Sequence, residues 1–274
     1  MSVRPLSFLA ADRPFEKAKV AILGVPLERT VSFRGGPAQA PAAIRLASDS
    51  VEPYSAIFRA DLQGIGLCDL GDIDVHMPLV QVLSSLGRET EKLLQAGKFP
   101  VVLGGEHTIT LGAVRGAKAA LGRLQLLALD AHSDLREEYE GERVCHATVL
   151  RRSWEEVERL VIVGARSFFG GEVREPVFVQ PSELSDRLDP KVPVWLSLDL
   201  DALDPSLCPG VTNPEPGGLS YREVIEVFRA LQGFNVVGLD LVELAPPYDP
   251  SGVSAVTAAK LVIEAICAFL SPRI

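Results

Sequence analysis

The sequence contains few cysteines, and they are not arranged as a disulfide framework or a thiolate metal site. Only four occur in 274 residues, and they lie far apart: Cys68, Cys145, Cys208 and Cys267. Without a CxxC pair, this spacing is typical of reduced thiols. The amino-terminal stretch also lacks the apolar segment of a secretory signal, so we expect a cytoplasmic protein.

Positive charge is also scarce. The chain has 27 Lys and Arg against 36 Asp and Glu, which gives a formal net charge of −9 and a pI near 5.1. Such a balance disfavours nucleic acid and anionic membranes as partners. Charges or glycines interrupt the apolar stretches before they reach the roughly 18 residues of a membrane-spanning helix. We therefore expect neither partner, and the negative charge slightly favours cationic small molecules.

Glycine motifs that bind nucleotides are missing as well. Gly104-Gly105 is not part of a GxGxxG sequence, and Gly164-Ala165-Arg166 lacks the second and third glycines of that motif. The chain contains no P-loop sequence. These absences argue against a dinucleotide-binding or nucleotide-hydrolysing protein.

What is present is a regular alternation of strand-like and helix-like segments. The predicted strands are Lys19–Val25, Leu67–Val75, Pro100–Leu103, Leu124–Leu129, Leu160–Gly164, Val177–Val179, Val194–Leu200 and Val236–Glu243. The predicted helices lie within Ser32–Arg45, Leu79–Ala96, Thr110–Leu121, Cys145–Val157, Ser220–Leu231 and Val253–Phe269. This order predicts an α/β fold with three layers, α/β/α, around a mainly parallel sheet. With no linker or repeat, residues 1–274 are expected to form a single domain.

Three of the predicted strands lead into side chains that can bind metals. In the second of them, Asp130, His132 and Asp134 follow the apolar run Leu124–Leu129. If the chain stays extended there, residues two apart point to one face. Carboxyl ends of neighbouring parallel strands lie about 4.8 Å apart, so side chains from all three strands can meet. The candidate metal ligands are His107, Asp130, His132, Asp134, Asp199 and Asp201.

Charge balance indicates how many cations this set would hold. Four aspartates in one cleft would repel one another strongly and some would take up protons. One divalent cation leaves two negative charges, whereas two divalent cations balance all four, with carboxylates bridging ions about 3.5–4 Å apart. Hard carboxylates without a thiolate favour manganese or magnesium over structural zinc, and the two imidazoles favour manganese. Zinc and iron remain alternatives.

Two further residues are candidates for a catalytic role. His146 follows a highly charged loop, 136–143, and an imidazole titrates near neutral pH, so it is a candidate proton shuttle. The alternative is a histidine at a helix start that bonds to backbone. Glu243 ends the last predicted strand at the same edge of the sheet. Its carboxylate can pair with a cationic substrate group or with a nearby arginine.

Together these motifs resemble the ureohydrolase superfamily of arginases and agmatinases. The metal-ligand motifs are GGEHT (104–108), DAHSD (130–134) and SLDLDALDP (197–205), in the order and spacing of that family. The similarity extends to GVPLERTVSFRGGPAQAPAAIR (24–45), DLGDIDV (69–75), PGVTNPEPGGLS (209–220) and VELAPPYDPSGVSAVTAAKL (242–261), and so covers nearly the whole chain. It implies an arginase/deacetylase-like fold and hydrolysis of a guanidino compound.

The resemblance also implies roles for individual residues. It implies two Mn²⁺ per chain, one held by His107, Asp130, Asp134 and Asp199, and the other by Asp130, His132, Asp199 and Asp201. His146 matches the mobile histidine that transfers a proton, Glu243 the glutamate that pairs with the guanidinium, and Asp134 also stabilises the tetrahedral intermediate. Two positions depart from the family pattern, Ala147 and Asn213, and neither is a ligand.

The charged loop bears on the substrate. It contains Glu137, Glu138, Glu140 and Glu142 against two arginines. Anionic side chains would attract the ammonium of agmatine and repel an α-carboxylate. Agmatine is therefore the expected substrate, with aminopropylagmatine next, then arginine, guanidinobutyrate and formiminoglutamate. Alternatively these glutamates form a solvated surface.

Two other hypotheses stay open at this point. The chain could be a binuclear hydrolase of another C–N substrate such as formiminoglutamate, or a metal-binding protein without catalytic activity. The presence of all six ligands together with His146 and Glu243 argues against the second. The resemblance further implies a homo-oligomer, a trimer or hexamer.

Overall fold

At the centre of the fold lies an eight-stranded parallel sheet. The structure, a computed structural model, describes residues 6–170 and 178–271. The strands are β1 Val20–Val25, β2 Tyr54–Ser55, β3 Ala60–Asp61, β4 Leu67–Asp72, β5 Phe99–Gly104, β6 Gln125–Leu129, β7 Arg159–Val163, β8 Phe178–Val179, β9 Val194–Asp199 and β10 Val236–Val242. Their order across the sheet is β4-β1-β5-β10-β9-β6-β7-β8, while β2 and β3 form a separate antiparallel pair.

Helices cover both faces of this sheet. They are α1 Ala40–Ser48, α2 Leu62–Ile65, α3 Leu79–Gln95, α4 Thr110–Leu121, α5 Val149–Trp154, α6 Leu184–Arg187, α7 Tyr221–Leu231 and α8 Val253–Leu270. One apolar core joins α1, α7 and α8 to the sheet, and another joins α3, α4 and α5 to it. The predicted three-layer, single-domain α/β/α fold with a parallel sheet is confirmed.

Strand composition explains why both faces must be covered. In β5, Val101 and Leu103 belong to one core and Val102 to the other, because successive side chains point to opposite faces. All six residues of β5 and of β9 are buried. Such continuous apolar strands are stable only between two layers of helices.

By its length and composition alone, the helix α8 could cross a membrane. Its 18 residues have a mean hydropathy of 1.9. However, 61% of this segment is buried within the protein, where it contacts α1 and α7. Within the described residues, α8 therefore has the environment of a core helix.

Most element boundaries follow local signals in the sequence. A capping box starts α7: the Ser220 hydroxyl accepts a hydrogen bond from the Glu223 amide at 3.2 Å, and the Glu223 carboxylate accepts one from the Ser220 amide at 2.8 Å. Gly97, two residues after α3, has φ of +69°, a conformation that favours glycine.

Two predicted segments differ from the structure, and a third is described only in part. The segment Cys145–Val157 is not one helix, because residues 146–148 form a 3-10 turn before α5 begins. The strand β4 ends at Asp72 and not at Val75. Of the predicted strand Val177–Val179, the structure describes β8, whereas Val177 lies outside the described residues.

The end of β4 is tied to α1 by a buried arginine. The Arg45 side chain is only 3% exposed, and its Nε and Nη2 bond to Asp69 at 2.8 and 2.9 Å. Its Nη1 bonds to Asp72 at 2.5 Å. Since Asp69 is 2% exposed, removal of the guanidinium would leave a carboxylate buried without its counter-charge.

We therefore predict that Arg45→Ala lowers the free energy of unfolding by about 3–5 kcal/mol, the range for breaking a buried ion pair. The measurement is denaturant-induced unfolding. Arg123→Ala is the matched control, because Arg123 pairs with Glu158 where both side chains are well exposed, 59% and 42%. Its loss should stay within about 1 kcal/mol, and equal losses in the two variants would contradict the prediction.

Candidate active site

The candidate metal ligands and Glu243 come from the carboxyl ends of four neighbouring strands. β5, β10, β9 and β6 are consecutive in the sheet. His107 follows β5, Glu243 follows β10, Asp199 ends β9 and Asp130 follows β6. All four side chains are at least 96% buried. The parallel sheet therefore gathers them at one edge, as expected for an α/β fold.

His107 is the centre of a first cluster. Its Nδ1 lies 3.2 Å from a carboxylate oxygen of each of three aspartates, Asp130, Asp134 and Asp199. The possible ligand atoms of His107, Asp130 and Asp199 all lie within 4.8 Å of one another. This cluster has the composition and compactness of a site for one cation.

A second cluster shares Asp130 with the first. His132 Nδ1 lies 2.9 Å from Asp201 Oδ2 and 3.7 Å from Asp130 Oδ1. Asp130 thus faces His107 with one oxygen and His132 with the other. The structure brings all six predicted ligands together, and Asp130 has the position of a bridge between two cations.

The expected backbone geometry of these ligands is wrong, although their convergence is confirmed. The strand β6 ends at Leu129, and Asp134 has a left-handed φ of +49°, so Asp130 and Asp134 are not on one face of an extended strand. Asp201 likewise lies in a 3-10 turn, 200–202, and its amide donates to the Asp199 carboxylate at 2.8 Å. Tight turns, rather than a two-residue period, bring these carboxylates together.

The position of the hydrogen on the His107 ring bears on whether the clusters fit a metal, because only an unprotonated nitrogen can be a ligand. The Ser197 hydroxyl donates to Asp240 at 2.6 Å, so its oxygen accepts from His107 Nε2, which lies 3.1 Å away. The lone pair of Nδ1 then faces the carboxylates. Among the described residues, Nδ1 and Asp130 Oδ2 are buried without a hydrogen-bond partner. A bare nitrogen opposite three carboxylate oxygens fits a cation between them.

Burial supports the same conclusion. The pKa of Asp130 is raised, mainly by its burial away from water and further by repulsion from Asp134 and Asp201. Burial and repulsion from Asp201 likewise raise the pKa of Asp199 well above its usual value. These carboxylates are therefore costly to keep ionised in the protein alone, and cations would restore the charged form.

Glu243 is held rigidly beside the first cluster. Its backbone has a left-handed φ of +66°. Its carboxylate accepts hydrogen bonds from the His107 amide at 2.5 Å and from the Thr212 hydroxyl. Burial raises the pKa of Glu243 to about 8. A bound guanidinium would favour the ionised carboxylate, so the predicted pairing is consistent with this position.

Hydroxyl groups, not backbone atoms, hold the ring of His146. Nδ1 lies 3.2 Å from the Thr30 hydroxyl, and Nε2 lies 3.3 Å from the Ser32 hydroxyl. The edge of the ring packs against Tyr139 with centroids 5.7 Å apart. The alternative of a helix-start histidine bonded to backbone is therefore wrong for its ring.

A cavity of about 240 Å³ connects these groups. Its polar floor includes ligands of both clusters, Glu243 and His146, and Ala147 and Asn213 also line it. Arg136, Tyr139, Phe168 and Phe169 contribute the larger side chains of its wall. The arrangement suits a ligand with a planar cationic head and a short chain.

The acidic loop does not act on the cavity in the expected way. None of its four glutamates lines the cavity. Glu137 pairs with Arg151 and Arg152, each at 2.6 Å, while Glu140 and Glu142 line a different pocket. The loop presents Arg136 and Tyr139 to the cavity instead. The inference that the glutamates select an ammonium therefore has no structural basis, and their role as surface or packing charges is favoured.

Comparison with known proteins agrees with the site. Residues 18–268 match the family model described as Arginase family. The chain is 34% identical to a guanidinobutyrase of Pseudomonas aeruginosa (90% of this chain, 85% of that protein) and 35% identical to an agmatinase of Bacillus anthracis (94% of each). It superposes on the agmatine ureohydrolase of Thermoplasma volcanium with a TM-score of 0.89 and 33% identity, covering 97% of this chain and 94% of that one.

The chain belongs to the arginase family. It is an agmatinase-like ureohydrolase, a hydrolase that acts on guanidino C–N bonds. The resemblance inferred from the motifs is thereby confirmed.

The site of this ureohydrolase also contains residues that the sequence analysis missed. Ser197 and Asp240 orient His107, and Thr212 holds Glu243. Ser197 carried a usable signal, because it lies two residues before Asp199 in the same strand. For Asp240 the sequence signal was weak, namely the presence of a carboxylate within an otherwise apolar strand.

Because Asp130 belongs to both clusters, we expect Asp130→Ala to abolish cation binding at both, whereas substitution of a ligand that belongs to one cluster should affect that cluster alone. Metal content per chain, measured by elemental analysis after manganese loading and gel filtration, tests this expectation. Asp74→Ala removes an exposed aspartate outside the clusters and serves as the control, which should retain both ions. Two ions per chain in Asp130→Ala would refute the assignment of Asp130 as a bridge.

Proposed function

We propose that this ureohydrolase binds two Mn²⁺ and hydrolyses agmatine to putrescine and urea. The observation that carries the proposal is the shared Asp130, which links two ligand clusters at the floor of a cavity that also contains Glu243. The oxygen-rich ligand set with two imidazoles supports manganese. When bound, two divalent cations lower the pKa of a coordinated water, which makes it a nucleophile near neutral pH.

Glu243 would bind and orient the substrate. Its carboxylate is buried and is fixed by the His107 amide and the Thr212 hydroxyl, so it cannot rotate away from the cavity. Pairing with the substrate guanidinium would direct the planar carbon toward the ligand clusters. Positioning of this kind supplies a large part of the rate enhancement in enzymes.

Asp134 and His146 would move protons. Asp134 is the most exposed aspartate of the first cluster, with 12% of its side chain accessible, so it can reach both the nucleophile and the substrate. Collapse of the tetrahedral intermediate breaks the C–N bond and requires a proton on the leaving amine. His146 lines the same cavity and can donate that proton.

Similarity to proteins named as agmatinases supports agmatine as the substrate. The agmatinase of B. anthracis and the agmatine ureohydrolase of T. volcanium match this chain over nearly its full length. The aromatic wall of Tyr139, Phe168 and Phe169 fits the methylene chain of agmatine and its ammonium. Aminopropylagmatine extends the same chain and follows as the next substrate.

One observation favours a second candidate, 4-guanidinobutyrate. The Arg136 guanidinium lies 5.2 Å from the Tyr139 ring centroid and 4.6 Å from that of Phe169. Among the described residues, no carboxylate lies within ion-pair distance of it. A guanidinium in the cavity wall can bind the carboxylate of a guanidino acid. The similarity to a guanidinobutyrase is consistent with this alternative.

Urea release by the manganese-loaded enzyme, with formamide release measured for formiminoglutamate, separates these substrates. We expect agmatine to give the highest kcat/KM among agmatine, aminopropylagmatine, arginine, 4-guanidinobutyrate and formiminoglutamate. For agmatine, Arg136→Gln should leave kcat/KM unchanged or raise it, because it removes a repulsive charge. Arg143→Gln, which changes the exposed second arginine of the same loop, is the matched control.

Other outcomes have distinct meanings. Faster turnover of 4-guanidinobutyrate, lost in Arg136→Gln but retained in Arg143→Gln, would replace agmatine by the guanidino acid. If arginine were the best substrate, neither agmatine nor 4-guanidinobutyrate would be the preferred substrate. Formiminoglutamate as the best substrate would support the other C–N hydrolase hypothesis, and no product from any compound would overturn the proposed activity.

We further propose that the enzyme acts in the cytoplasm as a homo-oligomer, a trimer or hexamer, without nucleic acid or membrane partners. The net charge of −9 and the resemblance to arginases and agmatinases support this proposal. Light scattering during gel filtration would give the mass, and a mass near the 29.5 kDa of one chain would contradict the oligomer.

A further inference from the structure

A buried carboxylate next to the metal site faces away from it. Glu106 precedes His107 and is fully buried, yet it belongs to neither ligand cluster. Its Oε2 accepts hydrogen bonds from the amides of Arg29 and Thr30, the latter at 2.8 Å. Its Oε1 accepts from the Thr30 hydroxyl at 2.9 Å. All three groups that contact this carboxylate are donors, which is the pattern of an ionised acceptor.

The Thr30 hydroxyl connects Glu106 to His146. A hydroxyl has one hydrogen to donate and two lone pairs to accept with. The Thr30 oxygen accepts from the backbone amide of His146 at 3.1 Å and lies 3.2 Å from His146 Nδ1. The Thr108 hydroxyl is the more distant neighbour, at 3.3 Å.

These contacts determine which nitrogen of His146 carries the hydrogen. Bonds to a carboxylate are stronger than bonds to a neutral imidazole, so the single hydrogen of the Thr30 hydroxyl goes to Glu106. Thr30 can then only accept from Nδ1, which must be protonated. In the opposite tautomer, the Thr30 hydrogen would point to Nδ1 and the buried Glu106 carboxylate would lose a donor.

We propose that Glu106 and Thr30 are positioning residues that hold neutral His146 in its Nδ1–H tautomer, with the Nε2 lone pair directed to the cavity. Nε2 lies 3.3 Å from the hydroxyl of Ser32, a residue that lines the cavity. A proton taken up at Nε2 and donated from there would reach the leaving amine. The inference rests on the proposed role of His146 in proton transfer, although the tautomer itself can be observed without turnover.

A second arrangement of the same kind contacts His107. There the buried Asp240 accepts from Ser197, and the Ser197 oxygen faces His107 Nε2. In both cases a buried carboxylate takes the hydrogen of a hydroxyl, and the hydroxyl oxygen then fixes the protonated nitrogen of a histidine. The two relays leave opposite nitrogens unprotonated, Nδ1 in His107 and Nε2 in His146.

Nitrogen-15 NMR of the folded protein, labelled in histidine and loaded with diamagnetic Mg²⁺, tests the tautomer directly. The chain has only four histidines, and His146→Asn assigns the signal. For the neutral ring of His146, we expect a protonated Nδ1 and an unprotonated Nε2. A protonated Nε2 of His146 in the unaltered protein would overturn the proposal.

Variants test the origin of the tautomer. Thr30→Val keeps the shape of the side chain but lacks the hydroxyl, so His146 should shift toward the Nε2–H form that histidine favours in water. Thr30→Ser restores the hydroxyl and should restore the Nδ1–H form. Ser32→Ala removes the hydroxyl on the other side of the ring and should leave the tautomer unchanged. An unchanged tautomer in Thr30→Val would refute the role of Thr30.

Kinetics of the manganese enzyme give a second readout. Thr30→Val should lower kcat for the best substrate by roughly 10- to 100-fold, the range for loss of an orienting hydrogen bond, with little change in KM. Thr30→Ser should recover most of that loss. A larger effect on KM than on kcat would contradict a positioning role. If no substrate is turned over, the proposed function fails, while the NMR result still decides the tautomer.

Discussion

Repulsion among buried carboxylates is the constraint on which the site depends. Asp130, Asp199 and Asp201 are almost completely buried, and Asp134 is close to them. The protein places bare His107 Nδ1, rather than a hydrogen-bond donor, at the centre of the first cluster. These carboxylates can all stay ionised only when cations occupy the clusters. Bound cations would therefore offset the cost of assembling the site.

The sheet topology makes this assembly feasible. Parallel strands end at one edge, and the four central strands β5, β10, β9 and β6 each deliver one or more acidic or imidazole groups there. The central strands are buried on both faces, which makes their ends rigid supports. Buried Asp240, within β10, extends this support by orienting Ser197 and through it His107. Precise metal sites need such orienting contacts behind the ligands.

The residues that we propose for catalysis and specificity lie on less regular segments. Glu243 and Asp134 both adopt left-handed backbone conformations, which are unusual for residues other than glycine and are typical of functional sites. His146 is held by hydroxyls from the loop after β1. The loop after Asp134 contributes Arg136 to the cavity wall. Changes in these loops can alter the substrate while the metal ligands stay in place.

The sequence by itself determined the fold class, the six candidate ligands and the family, because apolar periodicity and motif spacing are local properties. It did not determine the turns that bring Asp134 and Asp201 to the clusters, because the two-residue spacing of these ligands also fits an extended strand. Only the tertiary structure decided which loop charge faces the cavity: Glu137 is paired with two arginines, whereas Arg136 lines the wall. The direction of a side chain in a loop depends on contacts with residues distant in sequence, and the composition of the loop does not predict those contacts.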